Sequence, residues 1–89
     1  MSNKRNPNVV TSQILEICAD GANKTRVVYQ ANLNSVKGTQ YLDSLTKNGF
    51  LEAIPDGSRF IYKTTPKGGE LREKLGQFQS MMENLYIHA

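Results

Sequence analysis

Apolar residues along this chain fall into three helical stretches, one alternating stretch and one long heptad stretch. Val10, Ile14, Ile17 and Cys18 recur at helical spacing behind Asn8, whose side chain suits the cap of a helix beginning near Val9. Asp20-Gly21 is the stop signal, because glycine accepts the left-handed conformation after a last turn. Asn23 is the candidate cap of a short second helix with Val27, Val28 and Ala31 inside and Tyr29 at its side. Asn32-Leu33-Asn34 then leaves room only for a sharp connection. Asn34 and Ser35 both suit the cap of a third helix, which runs to about Asn48-Gly49. Its apolar positions are Val36, Tyr41, Leu42 and Leu45, and its other side carries Lys37, Thr39, Gln40, Asp43, Ser44 and Lys47.

The period then changes from 3.6 to 2. Phe50, Glu52 and Ile54 alternate with Leu51 and Ala53, and Phe60, Tyr62 and Thr64 alternate with Ile61 and Lys63. Pro55-Asp56-Gly57-Ser58-Arg59 lies between the runs, and its Asp-Gly step predicts a β-hairpin over residues 50–64. Thr65-Pro66 opens the last helix with a cap residue and a first-turn proline. Gly68-Gly69 is expected to weaken that start. Leu71, Leu75, Phe78, Met82 and Leu85 follow in steps of 4, 3, 4 and 3, a heptad stripe. A helix over residues 66–89 is about 36 Å long, more than a lid over the preceding residues needs. Such a stripe either folds back on its own domain or pairs with a second copy. Pairing accounts better for its reach. An antiparallel pair also packed on the first helix buries it best, and its orientation is left open.

The order is three helices, a hairpin and one long amphipathic helix. A helix presented by a tight turn can enter a major groove, and a hairpin directly after it can lie alongside the backbone. The predicted class is therefore α+β, a winged helix-turn-helix followed by a C-terminal dimerisation helix. Residues 1–65 form the winged domain, with residues 1–7 as a flexible arm, and residues 66–89 form the stem.

This topology nominates the outward face of the third helix. Gln40 has the geometry to read adenine and Lys37 to reach guanine, while Ser35 and Thr39 suit bases or phosphates. Asp43 can accept from cytosine or repel phosphate. Lys24, Thr25 and Arg26 place a hydroxyl and two cations at the start of the second helix, a phosphate anchor. Ser58 and Arg59 at the hairpin tip are candidates for wing contact, with Lys63 further down the strand. Lys4 and Arg5 on the arm can add non-specific phosphate contacts.

Composition changes this picture little. The 89 residues are 38% hydrophobic and 21% charged, ordinary for one globular domain. The net charge of +3 is compatible with a polyanionic partner without demanding one. Residues 1–50 hold six Lys/Arg against three Asp/Glu, whereas residues 51–89 hold five of each, so the excess sits with the helix-turn-helix half. The single Cys18, flanked by Ile14, Leu15 and Ile17, reads as a buried small hydrophobe in a reducing setting. The polar N-terminus opens no signal-peptide run, and no stretch reaches the ~20 apolar residues of a membrane span. A cytoplasmic protein is expected. His88, the only histidine, sits beside the C-terminus, and no His/Cys/Asp cluster has metal-ligand spacing. Lys67-Gly68-Gly69 lacks the frame of a P-loop. Neither catalysis, cofactor, metal nor small-molecule ligand is expected.

Two segments carry a family resemblance. Gly21-Ala22-Asn23-Lys24-Thr25-Arg26-Val27-Val28-Tyr29-Gln30-Ala31-Asn32-Leu33 and Tyr62-Lys63-Thr64-Thr65-Pro66-Lys67-Gly68, with Tyr41-Leu42, Leu45 and Gly49-Phe50-Leu51 between them, resemble the archaeal winged-helix DNA-binding regulators. The resemblance spans about residues 9–85 and includes small dimeric chromatin-associated proteins that pair through a C-terminal antiparallel coiled coil. It implies DNA binding through Ser35, Lys37, Thr39, Gln40 and Arg59, and dimerisation through Leu71, Leu75, Phe78, Met82 and Leu85. Gly38 stands where such proteins usually place a larger apolar residue, which predicts a loosened start of the third helix.

The leading expectation is a dimeric transcription regulator on double-stranded DNA. A weakly specific architectural DNA binder and a winged-helix protein-interaction module are the alternatives.

Overall fold

The computed structural model describes residues 6–87, so the candidate arm residues Lys4 and Arg5, and His88, lie outside the described residues. The chain builds α1 (Pro7–Ile17), β1 (Ala22–Asn23), α2 (Lys24–Gln30), α3 (Ser35–Lys47), β2 (Leu51–Asp56), β3 (Arg59–Thr64) and α4 (Pro66–Ile87). The order expected from the sequence is present, with one addition and several shifted boundaries.

α1 starts earlier than its apolar spacing suggests. Asn6, not Asn8, is the cap: its side-chain oxygen accepts the backbone N–H of Asn8 at 2.7 Å. Pro7 supplies the first helical residue, where a missing N–H costs nothing. Asn23 caps α2 by accepting from the Arg26 N–H at 2.9 Å, and Asn34 caps α3 by accepting from the Lys37 N–H at 2.7 Å. Gly49 takes positive φ directly after the Asn48 cap, as the stop signal of α3 requires, whereas α1 already ends at Ile17 with Cys18 as its cap, and the positive φ of Gly21 serves the turn into β1.

The addition is β1. It pairs antiparallel with β3, which pairs with β2, giving the sheet order β1-β3-β2. Two residues carry too little pattern to announce a strand. Here the strand exists because Gly21 turns the chain so that Ala22 meets Tyr62 and Asn23 meets Ile61. At the other end of β3 the hairpin closes with Asp56 opposite Arg59. Gly57 has φ +63° while Ser58 is not left-handed, the signature of a type II′ turn rather than the type I′ turn that Asp-Gly suggests.

Val10, Ile14 and Leu15 of α1 and Cys18 at its cap, Val27 and Ala31 at α2, Leu42 and Leu45 of α3, and Ala22 and Leu51 of the sheet form one core. Burial of Cys18 pushes its thiol up to about 11, opposed slightly by Arg26, in keeping with a small hydrophobe rather than a nucleophile.

Two glycines are set by close approach. Gly38 is buried where α3 crosses α2, and a Cβ there would lie within 2.4 Å of Cγ2 of Val28. The expected loosening of α3 is therefore corrected: the missing side chain brings the two helices together. Gly68 is likewise buried, and its Cβ would lie 2.1 Å from the carbonyl oxygen of Phe50. The expectation that it merely weakens α4 gives way to a steric requirement.

The segment Tyr62–Gly68 is the joint of the molecule. The Thr64 hydroxyl donates to the Leu15 carbonyl at 2.7 Å, and the Thr64 N–H donates to the Cys18 carbonyl, so β3 ends against the C-terminus of α1. The Thr65 hydroxyl caps α4 by accepting the Gly68 N–H at 3.0 Å, and donates to the Gly49 carbonyl at 2.6 Å. Lys67 lies over the Phe50 ring and donates to the Asn48 carbonyl at 2.9 Å, where α3 ends. One short stretch thus fixes α1, α3 and α4 to the sheet.

α4 spans 22 residues, about 33 Å. It packs against α1, and Arg72 meets Glu16 at 3.5 Å between exposed side chains. Leu71 packs onto the core, whereas Phe78 and Leu85 are 50% and 58% exposed.

Candidate nucleic-acid interface

The geometry of α3 follows from its phase. Gly38, Leu42 and Leu45 are buried, and residues displaced half a turn from them must face outward. Those are Val36, Gln40, Asp43 and Lys47, spaced i, i+4, i+7 and i+11, and all four are exposed. They form the outer ridge of the helix. Lys37 and Ser44 are exposed on one flank, while Ser35 and the half-buried Thr39 lie on the other.

Val36 corrects the sequence reading, which placed it among the inner positions of α3. It is 67% exposed. The phase of the buried stripe was the signal that finds it: six residues before Leu42 is 240° round the helix from it.

α2 and the hairpin flank this ridge. Asn23, Lys24, Thr25, Arg59, Phe60 and Tyr62 line one groove, so the start of α2 and the base of the hairpin tip share a surface. A second open groove of about 580 Å³ is lined by Lys24, Thr25, Val28, Tyr29 and Ser35 among others. Lys24 and Thr25 border both, which joins the hairpin to the beginning of α3. Arg26 and Ser58 are exposed but line neither groove. Tyr29 is 84% exposed and adds a phenol to this surface that the sequence reading left at the side of the helix.

The electrostatics are mixed. Lys24, Arg26, Lys37, Lys47, Arg59 and Lys63 bring six cations to α2, α3 and the hairpin. Asp43 interrupts them. Burial first, and then the nearby Asp43 carboxylate, pushes the Tyr62 phenol above its ordinary value of 10.0, which places that carboxylate's field at the root of the hairpin.

The heptad residues lie apart, on α4. Leu71 and Leu75 are half-buried by the chain's own elements. Phe78 and Met82 border a groove with Asn6 and Val9 of the α1 start, and beyond it Met81, Leu85 and Tyr86 are exposed. Among the described residues, no group of three or more His, Cys, Asp or Glu is placed to hold a metal ion, and no helix is long and apolar enough to cross a membrane.

A tri-helical core with a short first strand, a recognition-type third helix and a hairpin beside it define a winged helix-turn-helix protein. The chain belongs to the winged helix-turn-helix family, whose model matches residues 4–83. Among solved structures it is similar to Sso10a-2, a DNA-binding protein from Sulfolobus solfataricus, at 37% identity and a TM-score of 0.89, over 94% of this chain and 88% of that one. It is also similar in fold to the PcaV transcriptional regulator from Streptomyces coelicolor, at 17% identity and a TM-score of 0.78, over 98% of this chain and 64% of that one. The transcriptional regulator BldR from Sulfolobus solfataricus matches at 15% identity and a TM-score of 0.77, over 91% of this chain and 61% of that one. This chain thus spans less than two-thirds of either regulator. No curated protein sequence matches significantly.

Proposed function

We propose that this protein binds double-stranded DNA as a homodimer and regulates transcription, with α3 in the major groove and the hairpin on the backbone. The observation that carries the reading is the outer ridge of α3, turned to solvent by its buried face, with Lys24 and Thr25 joining the hairpin groove at Arg59 to the start of α3 at Ser35. Gln40 and Lys37 read base edges. Ser35 and Thr39 flank them. Lys24, Thr25, Arg26, Ser58 and Arg59 hold phosphates and set the register. The similarity to a DNA-binding protein over 94% of the chain supports this assignment.

Dimerisation runs through α4. The apolar side chains of Phe78, Met81 and Leu85 recur on one face and are half or more exposed, with Phe78 partly sheltered by the start of α1. Pairing with a second α4, alongside Leu71, Leu75 and Met82, removes that face from water and presents two α3 helices related by two-fold symmetry. The chain needs no cofactor for this role, and it works inside the cell, where its DNA is.

Anisotropy titrations with random and selected duplexes at two salt concentrations test the reading. Tighter binding to selected duplexes is the expected result. A steep salt slope with no sequence preference points instead to an architectural role. Absence of binding to any duplex at low salt overturns both and favours a protein-interaction module. Leu75→Asp with Phe78→Asp should halve the mass in solution, and a monomeric mass before and after substitution overturns the dimer.

A further inference from the structure

Val36 stands outside the buried core. Gly38, Leu42 and Leu45 supply the buried face of α3, and Val36 stands on the opposite side, 67% exposed. It is the one large apolar side chain exposed on this helix. A β-branched residue lowers helix propensity, and methyl groups left in water contribute nothing in return. Its companions along the ridge are Gln40, Asp43 and Lys47, all polar, so the apolar spot is one side chain wide. That is too small to dock a protein, whose interfaces bury many such residues.

Its position is informative. Val36 lies in the first turn of α3, and the N-terminal residues of a recognition helix are the ones that meet base edges. Gln40 stands one turn further, about 6 Å along the axis and on the same ridge. In the major groove a T·A pair shows the C5-methyl of thymine beside N6 and N7 of adenine. An amide that bonds N6 and N7 and an aliphatic side chain that packs on the methyl are the two groups such pairs call for. The helix carries both, in line.

We infer that Val36 is a specificity-determining residue that packs on a thymine C5-methyl group and, with Gln40, gives α3 a preference for A·T pairs at the step it faces. This rests on the reading of α3 as a major-groove helix. Lys37, the guanine-reading candidate, sits on the flank of the ridge and does not share this line.

The experiment uses the full chain and three fluorescent duplexes of equal length: alternating dA-dT, alternating dA-dU, and alternating dG-dC. The first two differ in the thymine methyl. Wild type should bind the thymine duplex about fourfold more tightly than the uracil duplex, the value of burying one methyl group. Val36→Ala should abolish that difference without lowering thermal stability, and Val36→Thr, which keeps one methyl, should retain part of it. Gln40→Ala should weaken binding to both A·T-type duplexes and leave the thymine-to-uracil ratio in place. Equal binding of the first two duplexes by wild type overturns the inference while leaving DNA binding intact. So does a Val36→Ala variant that keeps the full ratio, because the difference then belongs to the duplexes. Failure to bind any of the three at low salt overturns the underlying reading itself.

Discussion

A Cβ on Gly38 would lie 2.4 Å from Cγ2 of Val28, well inside van der Waals contact. The two residues belong to α3 and α2, and their approach sets how α3 crosses its neighbour. Val28 is stiff at χ1 and has little room to retreat. Gly38→Ala is therefore expected to destabilise the fold by about 1–3 kcal/mol, despite the better helix propensity of alanine. Urea denaturation measures the loss. Pairing it with Val28→Ala should recover much of that loss, as a double-mutant cycle of two touching residues reads it.

Gly68→Ala should be worse. Its Cβ would meet a backbone carbonyl, that of Phe50, at 2.1 Å, and a carbonyl cannot rotate away as a side chain can. The same carbonyl accepts the Thr65 N–H at 3.1 Å, so relieving the clash disturbs the joint between sheet and α4. A loss of about 3 kcal/mol or more is expected, read as a fall in melting temperature.

Stability should fall in alkali because of Cys18. Its thiol rises from 9.0 to about 11 in the folded chain, so below pH 9 it is protonated in both states and contributes no pH dependence. As pH climbs from 9 towards 11 the unfolded chain ionises first, binds fewer protons than the folded one, and is favoured. Tyr62, also raised by burial, extends the trend above its ordinary value of 10.0. Urea midpoints at increasing pH should decline from about pH 9, and Cys18→Ala should remove the first part of that decline.

Lys24→Ala and Arg59→Ala should weaken DNA binding for all sequences alike. Both line the groove between α2 and the hairpin, clear of the outer ridge of α3. Each lost phosphate contact should lower the slope of log K against log salt by about 1. Lys37→Ala or Gln40→Ala should instead narrow the gap between selected and random duplexes. An unchanged salt slope in both groove variants would remove the groove from the interface.

The asparagine caps of α2 and α3, the glycine stop of α3, the hairpin and the long last helix are legible because each rests on neighbours in sequence. Asn34 was one of two residues suited to the cap, and the bond to the Lys37 N–H decides between them. Replacing Asn34 with Ala should cost about 1 kcal/mol, measured by thermal unfolding. Asn6 is not announced as a cap, because the apolar stripe of α1 begins at Val10 and says nothing of the turn before it. β1 was invisible because its evidence lies in β3, forty residues away. Of the candidate site, the ridge was half legible. Gln40 and Lys37 are polar and declare themselves, whereas Val36 is apolar like the core residues and only the phase of Leu42 and Leu45 turns it outward.

Periodicity, caps and turn chemistry are local and act before any two elements meet, so the order of elements is already written along the chain. What each exception is for depends on how the elements pack. Gly38 and Gly68 look like weaknesses along a helix and are points of contact across it, because close approach depends on what lies opposite and not on what lies next in the chain. Likewise Thr64, Thr65 and Lys67 read as a helix start and act as the ties between three helices and a sheet, since their partners, Leu15, Gly49 and Asn48, are brought to them only by folding.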